Sequence, residues 1–259
     1  MSHEAAIGRP LLALGVIALG VQCLVFSKFV LGLEPVPAAL VPAVPWAWVS
    51  GVFLIGAGVS LLVDRVARAA ALLLAGFFLA STILLHGPLL VAHLKEDADD
   101  AFHTLAIGAA ALVLAAGVRR LARADSRPDG LIERAGVLGR LCFGFCTVGH
   151  GVMHFVFFKF TADFVPAWIP WHAFWAAATG IAQIAAGLAI LSGIQARLAA
   201  ALTGAMYGSW ALIVHIPRVL AQPASRLEWT SLAIAATLSA SALVVAGALS
   251  GTKDVSEPG

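Results

Sequence analysis

The chain has 259 residues, of which 61% are hydrophobic and only 12% charged, with a mean hydropathy of +0.95 and a net charge of +2. A soluble globular chain carries roughly 25% charged residues, so this composition excludes an ordinary water-exposed surface and makes lipid the surrounding solvent. The near-neutral charge excludes a nucleic-acid partner, and three cysteines exclude a disulfide-stapled secreted domain.

Met1 to Pro10 has no cleavable signal pattern, so the apolar run that follows reads as the first membrane span. About 20 mostly apolar residues cross the hydrocarbon core as a helix. Eight segments qualify: 10–30, 47–63, 69–91, 101–118, 139–160, 171–192, 198–219 and 229–249. The expected fold is an all-α polytopic bundle. The end Gly251 to Gly259 is a polar tail, and the acidic run Glu96, Asp97, Asp99 and Asp100 reads as a solvated loop, which leaves no acidic residue inside a span.

Charge orients the spans. Arg65, Arg68, the six arginines between Arg119 and Arg140, Arg197 and the terminal Arg9 and Lys253 share one side, and they are 11 of the 16 basic residues. The positive-inside rule makes that side cytoplasmic. Both termini then lie in the cytoplasm of a cytoplasmic (inner) membrane, with the proline-rich connectors 31–46 and 161–170 facing outward. His86, His93, His103, His154, His172 and His215 and all seven tryptophans fall toward the outer side, with His150 near mid-span. An ordinary aromatic belt occupies both interfaces. This bias predicts an outer cavity or docking surface, or a thick outer belt that meets a protein partner.

Short matches recur in order along the two halves. Gly8-Arg9 returns as Gly139-Arg140, Lys28-Phe29 as Lys159-Phe160, Pro45-Trp46 as Pro170-Trp171, and His86-Gly-Pro88 as His215-Ile-Pro217. They predict two parallel four-helix repeats, 1–118 and 139–250, joined by a basic cytoplasmic linker, 119–138, and followed by the tail 251–259. Parallel repeats imply a pseudo-two-fold axis along the membrane normal.

Polar groups at membrane depth are functional candidates by default. Cys142, Cys146, His150 and His154 recur every four residues, so they stand on one drifting helical stripe. Thiolate and imidazole suit soft or borderline metals such as copper or zinc; buried cysteine also serves as packing. His86 and His215 are each followed by proline two residues later. They could be axial haem ligands, bond a quinone carbonyl, or satisfy helix carbonyls loosened by the proline. Trp171 belongs to the aromatic rim. Arg218 either adds positive charge to a pocket for a flat ring or snorkels to headgroups. Lys28 and Lys159 read as cations at span ends, favoured there by the helix dipole.

The second half reads Gly149-His150-Gly151, His154-Phe155, Phe164-Val-Pro166-Ala-Trp-Ile-Pro170-Trp171, Gly180, Ala185-Ala-Gly187 and His215-Ile-Pro217. It resembles the DoxX-like membrane family, a four-helix unit with a His-Phe ending to its first helix and a Pro-rich outer connector. The resemblance covers 139–249 well and 8–118 more weakly, with Cys23 standing where His154 stands and Leu19 where His150 stands. It implies two fused units and association with quinone-linked oxidoreduction, but no catalytic set carries over. The resulting expectation is an accessory subunit of a membrane redox system, working outward. Its alternatives are a quinone- or haem-binding electron-transfer protein in its own right, and a transporter of small molecules or metal.

Overall fold

The chain forms helices α1 (His3–Phe26), α2 (Ala43–Leu61), α3 (Ala67–Ser81), α4 (Gly87–Ala92), α5 (Leu94–Ala122), α6 (Gly130–Val156), α7 (Phe158–Phe164), α8 (His172–Ser192), α9 (Ala196–Trp210), α10 (Ile216–Ala221) and α11 (Arg226–Leu249). The structure, a computed structural model, describes residues 3–37, 41–122 and 130–250, and no strand occurs among them. Residues Arg123 and Arg127 of the basic linker, Lys253 and the tail 251–259 lie outside the described residues.

Seven helices or continuous helix runs are long and apolar enough to cross a membrane, and an eighth follows if the bent pair α6 and α7 counts as one span. The chain is therefore an integral membrane protein by length and composition of its helices.

Local chemistry sets the helix ends. Two π-helical turns, Thr82–His86 and Ala211–His215, join α3 to α4 and α9 to α10. Each comes just before a proline, Pro88 or Pro217, which lacks an N–H and crowds the carbonyl four residues back. Widening the turn relieves that clash. Gly193, at φ 83°, closes α8 in the left-handed conformation. Ser225 caps α11 by accepting the Glu228 N–H, as a Ser-x-x-Glu start predicts.

Several boundaries differ from the sequence expectation. The first span stops at Phe26 because Ser27 takes φ 51°, so Lys28 lies beyond the helix end. The fifth span breaks at Phe157, and α7 leaves α6 at 94°. Lys159 therefore sits inside α7, paired with Asp163 one turn on, and does not cap α6. The largest correction concerns 96–100. This run belongs to the first turns of α5, so Asp97, Asp99 and Asp100 are part of a membrane helix and not of a solvated loop.

The spans pack through small residues. α1 lies against α2 and α11, α5 against α3, α6 and α11, and α8 against α6 and α9. A Cβ on Gly151 would sit 2.6 Å from the Gly180 carbonyl oxygen, and one on Gly187 would sit 2.6 Å from the Val148 amide nitrogen. Lipid tails are as apolar as leucine, so close backbone approach rather than water exclusion holds such helices together. At the end of the bundle carrying the basic loops, Arg9 and Arg140 donate to the last carbonyls of α2 and α8, at Leu61 and Ile190.

At the opposite end, the connector after α1 is held by Glu34, which is buried. Its carboxyl accepts the Ser50 hydroxyl at 2.6 Å and the Val30 N–H at 3.0 Å. Burial outweighs these bonds and raises the carboxyl above its ordinary 4.5. Folding therefore favours the protonated form. That contribution is complete below the unfolded value and is lost as pH rises through the folded one. The melting temperature in detergent is expected to fall as pH climbs from 4.5, and Glu34→Gln to flatten that slope. An identical slope in the variant would remove Glu34 as its source.

Candidate functional site

One cavity of about 1200 Å³ opens at the end of the bundle that bears the connectors after α1, α6 and α10. It is walled by α5, α6, α8, α9 and α11 and roofed by α7 and the segment after it. Much of the wall is apolar, including Phe157, Phe164, Ile169, Trp175, Trp210 and Ile213. A large apolar pocket with a few convergent polar groups is the default place for a protein to bind a small molecule.

A chain of hydrogen bonds runs along one wall. His150 Nδ1 lies 2.9 Å from the Tyr207 hydroxyl. That hydroxyl donates to Gln183 Oε1 at 3.2 Å. Gln183 Nε2 lies 3.0 Å from His154 Nε2. His154 Nδ1 meets the Ala176 carbonyl and the Thr179 hydroxyl, each at 3.2 Å. Trp210 stacks on the His154 ring at 5.4 Å. His150, Gln183 and Tyr207 are all buried.

Across the cavity mouth, α5 brings His103 against His150, with ring centroids 4.6 Å apart. One donor atom each of Asp99, His103 and His150 lies within 4.8 Å of the others. α5 can come this close because Gly149 has no side chain: a Cβ there would lie 2.5 Å from the Phe102 ring.

The third polar group is Arg218. Its Nε and Nη2 both donate to Glu228 at 2.8 Å, and its guanidinium lies 4.2 Å from the centre of the Phe164 ring. Glu228 is buried. Arg218 is thus fixed by a fork of two bonds rather than snorkelling. His215 lies beside it, and its buried Nδ1 has no hydrogen-bond partner.

Of the residues singled out in the sequence, His150, His154, His215 and Arg218 meet in this cavity. His86 does not line it. Its Nδ1 lies 2.8 Å from Asp97 and its Nε2 3.1 Å from Thr104, so both nitrogens are occupied and the pair His86 and His215 is not brought to one site. Trp171 is largely exposed, at 77%, and is absent from the lining. Cys146 is packed in the core and Cys142 is half-buried. The cluster formed around His150 draws its other members from α5, not from these cysteines. Both ring nitrogens of His154 are already engaged. Gln183, Tyr207 and Glu228 went unread in the sequence, and Asp99 was read there only as part of a solvated acidic loop. The signal existed for Gln183 and for Tyr207, the single tyrosine, since each is a polar group within an apolar span.

Residues 135–216 match the DoxX family. This stretch runs from α6 to the start of α10 and so contains His150, His154, Gln183, Tyr207 and His215. No curated protein and no solved structure matches the chain.

Proposed function

We propose that this membrane protein binds a flat, lipid-soluble redox ring of the quinone class in its cavity and serves as a component of a quinone-linked membrane redox system. The observation that carries this reading is the unpartnered, buried Nδ1 of His215 in an aromatic cavity of about 1200 Å³. A ring carbonyl placed there would satisfy the histidine, whose burial without a partner is otherwise unfavourable. Trp175, Trp210 and Phe164 offer faces for the ring. Arg218, anchored by Glu228, supplies a positive group beside it. The DoxX match adds the resemblance to quinone-associated proteins.

In this reading the basic loops mark the cytoplasmic end and the cavity faces outward. A redox partner would dock at the outer rim, where Trp168, Trp171 and Phe160 are exposed. The expectation of an accessory role comes from the family resemblance and the outward bias of histidine and tryptophan; Asp99, Asp100, Glu228 and Arg218 add ionisable groups at the cavity itself.

The test is purification in mild detergent, solvent extraction with mass spectrometry, and titration with a short-chain quinone followed by tryptophan fluorescence. About one quinone per chain is expected. Losing one hydrogen bond to the ring is worth about 1 kcal/mol, so His215→Ala should weaken quenching about 5- to 10-fold. A chain that retains no quinone, and whose quenching is the same in the variant, overturns the reading.

A further inference from the structure

The hydrogen-bond chain in the cavity wall determines which nitrogen of His150 carries a proton. The Ala176 carbonyl can only accept, so His154 Nδ1 is the protonated nitrogen and His154 Nε2 carries a lone pair. The Thr179 hydroxyl donates to the Trp175 carbonyl at 2.8 Å, so it too can accept from His154. Gln183 must then donate from its Nε2 to His154, and its Oε1 accepts the Tyr207 O–H. The Tyr207 proton being committed, its oxygen accepts from His150 Nδ1–H. His150 Nε2 is left as a bare lone pair. It is buried, it has no partner, and its residue is only 4% exposed.

His150 does not meet only apolar groups: one ligand atom each of Asp99, His103 and His150 lies within 4.8 Å of the others. Asp99 Oδ2 is 3.9 Å from His103 Nε2 and Asp100 Oδ1 is 3.8 Å from His103 Nδ1, both too long for hydrogen bonds. The three groups therefore converge without satisfying one another.

We propose that Asp99, His103 and His150 form a binding site for a divalent first-row transition-metal ion at the cavity mouth. Two imidazoles and one carboxylate are a donor set that such ions accept while keeping coordination positions open. Here the open positions would face the cavity. Tyr207 is the outer partner that orients His150, as metal-bound histidines commonly require. Asp100 and Glu96, which also line the cavity, add negative charge that favours a cation. Metal–nitrogen bonds of about 2.0–2.1 Å are shorter than the present gaps allow, so binding would draw the three side chains inward. Cys142 and Cys146 take no part. This site does not depend on the quinone reading.

The experiment uses the full chain, purified in detergent, stripped with chelator and titrated with Co(II), with visible absorption and calorimetry as readouts. One Co(II) per chain is expected, with ligand-field bands and without thiolate-to-cobalt charge transfer. His103→Ala and Asp99→Asn should abolish tight binding. Tyr207→Phe should weaken it about 10- to 100-fold, and Cys142→Ser/Cys146→Ser should leave it unchanged. Asp99 is half-exposed, so its isosteric variant tests the site without threatening the fold, and wild-type melting of each variant verifies this. Absence of stoichiometric Co(II) binding overturns the proposal. So does binding that survives Asp99→Asn and His103→Ala, or a thiolate charge-transfer band lost in the cysteine variant.

Discussion

Arg218→Met is expected to lower the stability of the folded protein by about 3 kcal/mol, the lower end of what removing one partner of a buried ion pair costs. Glu228 is the reason. Its side chain is only 4% exposed and both of its oxygens accept from the Arg218 guanidinium, so the variant strands a carboxylate in the protein interior. The lower end applies because the arginine side chain itself is 35% exposed. Arg218→Met combined with Glu228→Gln should recover most of the loss, since no uncompensated charge then remains. Urea or thermal unfolding in detergent, run as a double-mutant cycle, reads the coupling. A loss in the double variant equal to the sum of the two single losses would mean that the two side chains do not act as a pair.

Gly187→Leu should cost about 1–3 kcal/mol or more, and it should also disturb the cavity. A Cβ at 187 meets the Val148 amide nitrogen at 2.6 Å and the Gly144 carbonyl oxygen at 2.7 Å. These are backbone atoms, which cannot swing aside as a side chain would. α8 must therefore move off α6, the helix that carries His150 and His154, and Gln183 one turn earlier on α8 would lose its place between Tyr207 and His154. Gly56→Leu and Gly76→Leu are the controls, because nothing lies within 4 Å of a Cβ at either position. Both should melt as wild type does. Comparable losses at 56, 76 and 187 would show that helix flexibility, not interhelical contact, is what the glycines provide.

The helical class and the approximate positions of the spans were legible because they depend on runs of apolar residues, a property of consecutive positions. The His-x-Pro segments were legible as points of helix disturbance for the same local reason, and they appear as π-helical turns ending at His86 and His215. Their roles were not. His86 is consumed by Asp97 and Thr104, whereas His215 keeps a free nitrogen in the cavity. Two similar tripeptides thus have different surroundings, which depend on what other helices bring to them.

The stripe Cys142, Cys146, His150 and His154 makes the same point. Spacing along one helix places side chains on a common face, and the metal site read from it assumed that one face supplies all the ligands. The bundle divides that face instead. Cys146 is turned into the core, His154 is bound through Gln183, and His150 meets Asp99 and His103 from α5. The acidic run at 96–100 was misread because its polarity suggested solvent, yet it opens a helix whose N-terminal dipole tolerates acidic residues and packs toward partners far away in the chain.

By itself, then, the sequence determined that this is a helical membrane protein, roughly where its helices cross, and which few polar groups had to be accounted for. These follow from composition and from interactions between near neighbours in the chain. Only the tertiary structure decided which of those groups share a cavity, which nitrogen of His150 is left without a proton, and that Glu228 holds Arg218. Those outcomes require distances across helices separated by tens of residues, and close packing through glycine sets them.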